Sequence, residues 1–134
     1  MDAKTIARRY FEDLWNTGDT AVIPQLVAPN ATGHVNGQTI VTSALAARVR
    51  NTYDAYPDLK FSVDDLLADG NKAVVRWTMT GTHRGTLAGV PGSGARVSVT
   101  GINIFRVTDG RIAEMWVSAD DLGELRQIGA LALQ

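Results

Sequence analysis

The chain has 134 residues, of which 45% are hydrophobic and 20% are charged, a length and composition typical of one globular domain. Its 13 basic and 14 acidic side chains give a net charge of −1, so no basic surface for nucleic acid or an anionic membrane is indicated. Cysteine is absent, which excludes disulfides, thiolate catalysis and cysteine-based zinc sites. We predict a single domain over residues 1–134.

The N-terminus and the hydropathy pattern bear on localisation. No apolar run reaches the roughly 18 residues that a membrane span needs. The opening MDAKTIARRYF is charged where a signal peptide has an apolar segment. We therefore expect a cytoplasmic protein that has no contact with a membrane.

The first half of the chain has the apolar spacing of helices. One helix is predicted from Ala3 to Trp15, ended by Asn16-Thr17-Gly18. A short second helix follows Asp19, and it starts one turn later if Pro24 occupies its first turn, the position that proline tolerates.

A weak strand pair is predicted between Ala31 and Val41, around the turn Asn36-Gly37. Thr42 or Ser43 then caps a third helix, which ends before Pro57.

Beyond Pro57 the apolar period changes from that of a helix to that of a strand. Turn signals at Asp69-Gly70-Asn71, the GVPGSG loop and Asp109-Gly110 separate four predicted strands. These strands are Leu59 to Val63, Ala73 to Thr82, Val97 to Val107 and Ile112 to Ala119. Helices followed by a meander indicate an α+β fold, in which helices pack on a curved, mostly antiparallel sheet.

The alternation of strand side chains predicts which residues face the helices. Trp77, Met79 and His83 fall on one side of their strand. A regular hairpin at Asp109-Gly110 puts Asn103 opposite Trp116, on the same inward face as Phe105 and Asp120. One β-bulge would invert this face assignment beyond it.

A curved sheet that closes over an amphipathic helix leaves an open end suited to a small hydrophobic molecule. Aromatic side chains are expected to line this pocket, and a few polar groups would lie among them. The predicted aromatic lining is Phe11, Trp15, Trp77 and Trp116, and the polar groups are His34, His83, Asn103 and Asp120.

The sequence resembles the SnoaL-like polyketide cyclases of the NTF2-like, or ketosteroid-isomerase-like, superfamily. The segments that carry the resemblance are YFEDLWNTGD, the position of His34 after APNAT, YPDLKF, RWTMTGTHRG, VSVTGINIFRVTDGRIAEMW, and Trp116 followed by Asp120 and LGELRQIG. The resemblance implies a cone-shaped α+β barrel, a homodimer or homotetramer, and activity without a metal or organic cofactor. It also implies that Asp120 acts as general acid/base in an intramolecular aldol ring closure.

Burial beside aromatic rings would raise the pKa of Asp120 towards neutrality by disfavouring its charged form, as a general base requires. The alternative is that Asp120 caps the last helical turn or pairs with Arg126. His83 would share the proton or bind a carbonyl oxygen. His34 and Asn103 are expected to bind substrate oxygens, and Trp77, Trp116, Phe11, Trp15, Met79 and Phe105 to hold the substrate.

We therefore expect a cofactor-independent cyclase that acts on a hydrophobic, carbonyl-rich small molecule. Two alternatives use the same scaffold: a non-catalytic small-molecule-binding module, and a cofactor-free hydroxylase or hydrolase.

Overall fold

Helical segments and one six-stranded sheet make up the computed structural model, which describes residues 1–131. The helices are α1 (Ala3–Arg9, continued by a π-helical turn, Tyr10–Trp15), α2 (Ile23–Leu26, preceded by a 3₁₀ turn, Thr20–Val22), α3 (Thr42–Ala55) and α4 (Asp121–Gln127). The strands are β1 (Val27–Val35), β2 (Gln38–Val41), β3 (Lys60–Asp69), β4 (Lys72–Thr82), β5 (Arg96–Thr108) and β6 (Arg111–Ala119).

The strand order is β2-β1-β6-β5-β4-β3, with β2 and β3 at the two open edges. All neighbouring strands are antiparallel except β1 and β6, which are parallel. The predicted α+β fold with a mostly antiparallel sheet is confirmed. The single domain was predicted for residues 1–134, and residues 132–134 lie outside the described part of the chain.

The first helix begins at a cap and ends in a widened turn. The Asp2 carboxylate accepts the backbone N–H of Thr5 at 2.8 Å, which satisfies one of the free donors of the helix start. At the other end the N–H of Asn16 donates to the carbonyl of Phe11 at 2.8 Å, a bond of π-helical length. The widened turn buries Tyr10, Phe11, Leu14 and Trp15 together.

The second helix starts one turn later than Asp19. Asp19 caps only the 3₁₀ turn, where its carboxylate accepts the N–H of Ala21 at 3.1 Å. Helix α2 follows with Pro24 in its first turn, where the missing N–H has no helical partner to lose. This confirms the later of the two predicted starts.

Within the described part of the chain no side chain caps the third helix, so the predicted cap at Thr42 or Ser43 is wrong. Helix α3 follows β2 directly, with Val41 at the cap position. Thr42 is already helical, and its hydroxyl donates to the carbonyl of Ala28 in β1 at 2.6 Å. That hydroxyl therefore joins the helix start to the sheet.

Along β4 and β5, buried and exposed side chains alternate, and the buried ones lie on the face that was predicted to be covered by the helices. Val75, Trp77 and Met79 are buried on the inner face, which the helices cover. Asn103 and Phe105 are buried on the same face of the neighbouring strand.

The predicted inward position of Trp116 is wrong because of one β-bulge. Thr108 pairs with Arg111 and Val107 with Ile112, but Arg106 then pairs with Glu114, which leaves Ala113 as the extra residue. The shift puts Asn103 opposite Val117 and Ile104 opposite Trp116. Met115 and Val117 therefore face the helices, and Trp116 faces away.

The outer face of the sheet carries Ile102 and Ile104, which are 44% and 37% exposed. That the chain forms a homodimer or homotetramer stays a prediction.

Within residues 1–131, no helix combines the length and the apolar character that a membrane crossing requires.

The side chain of Asn16, which directly follows the π-helical turn, binds the edge strand β3. Asn16 donates from Nδ2 to the carbonyl of Phe61 at 2.9 Å, and its Oδ1 accepts the N–H of the same residue at 2.7 Å. Both backbone groups of Phe61 are thereby satisfied on the side where the sheet has no further strand.

Replacing Asn16 with Ala should lower the free energy of unfolding by about 1–3 kcal/mol, because two backbone groups of a buried residue lose their partners. Urea unfolding measures the effect. Asn30→Ala, at an exposed position of β1, is the control and should change stability by less than about 0.5 kcal/mol. Equal effects of the two substitutions would contradict this role of Asn16.

Candidate functional site

A cavity of about 630 Å³ lies between the inner face of the sheet and the helices. This volume falls within the range of small-molecule binding sites. Its walls come from the end of α1, the β1–β2 hairpin, α3, the inner faces of β3 to β6, and α4. The aromatic lining residues are Tyr10, Phe11, Trp15, Tyr56, Phe61 and Trp77.

The indole of Trp77 lies across Gly101, its cross-strand partner. A Cβ atom at residue 101 would lie 2.1 Å from the Trp77 ring, so only glycine allows this contact. The indole N–H donates to Oδ1 of Asn103 at 2.8 Å, and Asn103 Nδ2 lies 3.6 Å from the sulfur of Met115. Asn103 therefore has partners within the protein and fixes the orientation of Trp77.

Five of the predicted site residues line the cavity: Phe11, Trp15, Trp77, Met79 and Asn103. Phe105 is fully buried behind the wall, where it contacts Tyr10 and Phe11 at ring-centroid distances of 5.0 and 6.1 Å. It supports the lining without forming part of it.

His34 and Trp116 lie on the outer face, so their predicted position in the pocket is wrong. His34 Nε2 is 2.8 Å from the Glu114 carboxylate, and its ring stacks on Trp116 at 5.6 Å. Arg106 contacts the other oxygen of Glu114 at 3.2 Å. His34 pairs in register with Trp116, so the two side chains lie on the same outer face of the sheet.

Asp120 is exposed and is not among the residues that line the cavity. Its Oδ1 accepts the N–H of Gly123 at 2.9 Å, as the N-terminal cap of α4. A Cβ atom at residue 123 would lie 2.2 Å from the Asp120 carboxylate, so Gly123 leaves room for this cap. The predicted burial among aromatic rings is wrong, and the alternative reading as a helix cap is confirmed.

Helix α4 crosses the sheet where β6 has ended. β6 pairs with β5 only as far as Gly101 and Ala119, which leaves Ser98 without a strand on that side. The Gln127 side chain replaces it: Oε1 accepts the Ser98 N–H at 2.8 Å, and Nε2 donates to the Ser98 carbonyl at 2.9 Å.

The structure places a different carboxylate, Glu124, in the cavity wall. It is half-buried, and Tyr56 donates its hydroxyl to Oε2 at 2.9 Å. Tyr56 is itself positioned by Gly81, where a Cβ atom would lie 2.9 Å from the Tyr56 side chain. Glu124 was not predicted as a site residue. The sequence did carry a pattern that indicates its inward position. Glu124 is at helical spacing from Ile128, which is buried and marks the inward side of α4.

Burial raises the pKa of the Glu124 carboxyl, and the nearby charge of Asp121 raises it further. The hydrogen bond from Tyr56 and the proximity of His83 act in the opposite direction but do not cancel the effect of burial. The same burial raises the pKa of the Tyr56 hydroxyl, as do its hydrogen bond to Glu124 and the charge of that carboxylate. At neutral pH the Tyr56 hydroxyl therefore keeps its proton and donates a hydrogen bond to Glu124.

His83 is fully buried, as its predicted face requires, but it does not line the cavity. Its Nδ1 accepts the backbone N–H of Ser93 at 3.2 Å and lies 2.9 Å from the Ser93 hydroxyl. An accepting Nδ1 puts the proton of the neutral ring on Nε2. Among residues 1–131, Nε2 has no hydrogen-bond partner. The ring lies 6.0 Å from that of Tyr56.

The family profile described as SnoaL-like polyketide cyclase matches residues 5–128. The chain belongs to the SnoaL-like polyketide cyclase family.

Solved structures give the same relationship. TsrD from Streptomyces laurentii is 32% identical, with 95% of this chain and 94% of that chain covered and a TM-score of 0.85. IdmH from Streptomyces antibioticus, described as a proposed polyketide cyclase, is 27% identical, with coverage of 96% and 99% and a TM-score of 0.86.

AclR from Streptomyces galilaeus, described as a proposed hydroxylase, is 24% identical, with coverage of 98% and 83% and a TM-score of 0.88. At that identity the similarity concerns the fold. The comparison with curated proteins gives no match.

In this SnoaL-like chain, Gly101→Ala should lower stability by about 1–3 kcal/mol, because the added methyl group forces Trp77 off its site and separates it from Asn103. Urea unfolding and the NMR signal of the Trp77 indole N–H measure the change. Thr100→Ala, exposed on the outer face of the same strand, is the control. An unshifted indole signal in Gly101→Ala would refute the contact.

The raised pKa of Glu124 should make stability fall with pH. The unfolded chain releases this proton at the ordinary glutamate pKa, while the folded chain holds it to higher pH, so unfolding is favoured as pH rises through that interval. Glu124→Gln removes this contribution.

The stability of the Glu124→Gln variant minus that of the wild type should therefore increase with pH, starting near the ordinary pKa. Urea unfolding between about pH 4 and 8 covers this interval. Glu12→Gln, at an exposed residue of the first helical segment that pairs with Arg8, is the control. A stability difference for Glu124→Gln that does not change with pH would contradict the pKa shift.

Proposed function

We propose that the chain is a cofactor-independent enzyme that closes a ring in a hydrophobic, carbonyl-rich small molecule by intramolecular aldol reaction. Membership of the SnoaL-like polyketide cyclase family supports cyclisation as the reaction class. The observation that carries the proposal is Glu124, a half-buried carboxylate in the wall of an aromatic-lined cavity.

Proton transfer by Glu124 is supported by its environment. A carboxylate is an effective base when its pKa is raised towards the working pH, and burial raises the pKa of Glu124. The Tyr56 hydroxyl donates to one carboxylate oxygen, which fixes the orientation of the group and leaves the other oxygen available to a substrate proton.

In the proposed reaction, Glu124 removes a proton from the carbon next to a substrate carbonyl. The resulting enolate carbon attacks a second carbonyl of the same molecule, so that one carbon–carbon bond forms and the carbonyl oxygen becomes an alkoxide. Glu124 returns the proton to that alkoxide. The atoms balance without an oxidant or a co-reactant.

The aromatic lining supports the proposed substrate class. Trp77, Phe61 and Phe11 present ring surfaces to the cavity, and flat apolar surfaces suit a planar molecule. Trp77 is held by Asn103 and Gly101, so this wall is formed before the substrate binds. Pre-formed walls hold the two reacting carbons close together, as ring closure requires.

His83 is buried beside Tyr56 and does not line the cavity. In this proposal it packs behind Tyr56, whose hydroxyl donates to Glu124, and it does not touch the substrate.

The family resemblance assigns the proton transfer to Asp120 instead, and that role stays a prediction. Its exposure and its hydrogen bond to Gly123 support a capping role. Asn caps helices as well as Asp does, so Asp120→Asn removes the charge while it keeps the cap. The substitution is therefore a matched control for Glu124→Gln.

The test is α-proton exchange in α-tetralone, a bicyclic aromatic ketone, followed by NMR in deuterium oxide. Exchange reports enolate formation, which is the first step of the proposed reaction. The wild type should accelerate exchange over buffer, Glu124→Gln should lose about 100-fold of that acceleration, and Asp120→Asn should keep it. The quenching of tryptophan fluorescence measures binding of the ketone in parallel.

Three outcomes would overturn the proposal. Binding without accelerated exchange would indicate a non-catalytic small-molecule-binding module. Loss of exchange in Asp120→Asn but not in Glu124→Gln would return the catalytic role to Asp120. Absence of both binding and exchange would exclude this substrate class.

A further inference from the structure

We infer that Arg48 binds a carboxylate on the substrate, so that the molecule taken by the cavity is an aromatic or polyketide-type acid. This inference rests on the proposed function, since it specifies the substrate of the same site. It starts from the charges of the cavity wall. Of the described residues that line the cavity, Arg48 is the only cation, and Asp121 and Glu124 are the acids.

Both acids already have partners, whereas the guanidinium of Arg48 has none among the residues that the structure describes. Asn36 donates to the Asp121 carboxylate, and Tyr56 donates to that of Glu124. Within residues 1–131, the guanidinium of Arg48 makes no hydrogen bond or ion pair with a side chain or a backbone carbonyl. Arg48 is exposed, so it lies on the open side of the cavity, where it offers a cation whose charge no described protein group neutralises.

Two observations place this charge towards the cavity. Arg48 lines it together with Ala44 and Asn51, at the helical spacing of one face of α3. Its charge also acts on the hydroxyl of Tyr10, a buried residue in the cavity wall.

The chemistry of the Arg48 guanidinium indicates the kind of ligand that it would bind. A guanidinium presents parallel N–H donors that match the two oxygens of a carboxylate. Asn51, one turn further along α3, adds an amide donor on the same side. The remaining lining is largely aromatic and aliphatic, so the carboxylate must be attached to an apolar skeleton. A neutral ketone of the same shape would leave the arginine unpaired.

Matched probes test this inference: β-naphthoate and its methyl ester, which differ in charge but share the ring system. Calorimetry should show that the wild type binds the acid at least about tenfold more tightly than the ester, as expected for one charge-assisted contact. Arg48→Met should remove this preference, mainly by weakening binding of the acid. Arg48→Lys should retain part of it, because a lysine keeps the charge without the paired donors.

Arg50→Met is the matched control, since Arg50, like Arg48, is an exposed arginine of α3 but does not line the cavity. It should keep the full preference, and circular dichroism checks that each variant is folded. Equal affinity of the wild type for acid and ester, or the same acid preference in Arg48→Met as in the wild type, would overturn the inference.

The binding test of Arg48 and the exchange test of the proposed function can fail independently of each other. α-Tetralone carries no carboxylate, so its exchange depends on Glu124 and not on Arg48. Exchange without an acid preference would refute only the role of Arg48. An acid preference without exchange would refute only the catalysis.

Discussion

The contact between Trp77 and Gly101 determines the shape of the site. The indole lies flat on the neighbouring strand because residue 101 has no side chain, and Asn103 fixes its edge through a hydrogen bond. This arrangement keeps a large side chain close to the sheet, so that open volume remains between the sheet and the helices. Phe61 and Phe11 then pack against Trp77 with ring centroids 5.0 and 6.4 Å away. The aromatic wall therefore depends on one missing Cβ atom.

Much of the fold follows from local sequence patterns. Period-two alternation identified the inner faces of β4 and β5, because both strands are regular over their paired lengths. The position of Pro24 marked the delayed start of α2. The extra residue in β6 had no such signal, since the Asp109-Gly110 turn pairs as expected and the shift comes only after Val107. The predicted face of Trp116 was wrong for this reason.

The candidate site was less predictable than the fold because its carboxylate depends on tertiary structure. Sequence pattern and family resemblance both led to Asp120, which the chain uses to start α4. Glu124 lies about one turn further on, and its inward direction depends on how α4 crosses the sheet. That crossing is set by Gln127 and Ser98, a contact between distant parts of the chain that no local pattern reveals. The aromatic lining was more accessible to prediction, because strand and helix periodicity govern it.

Because side-chain hydrogen bonds between Gln127 and Ser98 attach helix α4 to the sheet, the sequence of α4 can vary independently of that of the strands. At this edge of the sheet the Gln127 side chain takes the place of a neighbouring strand. The sequence of α4 is therefore not constrained by a continuous series of backbone hydrogen bonds to the sheet. Glu124, the proposed proton carrier, and the aromatic walls consequently belong to separately variable segments. Substitutions within the seven residues of α4 can exchange one chemical group for another without changing the aromatic walls of the cavity. Such modularity gives a single scaffold a route to reactions of different kinds.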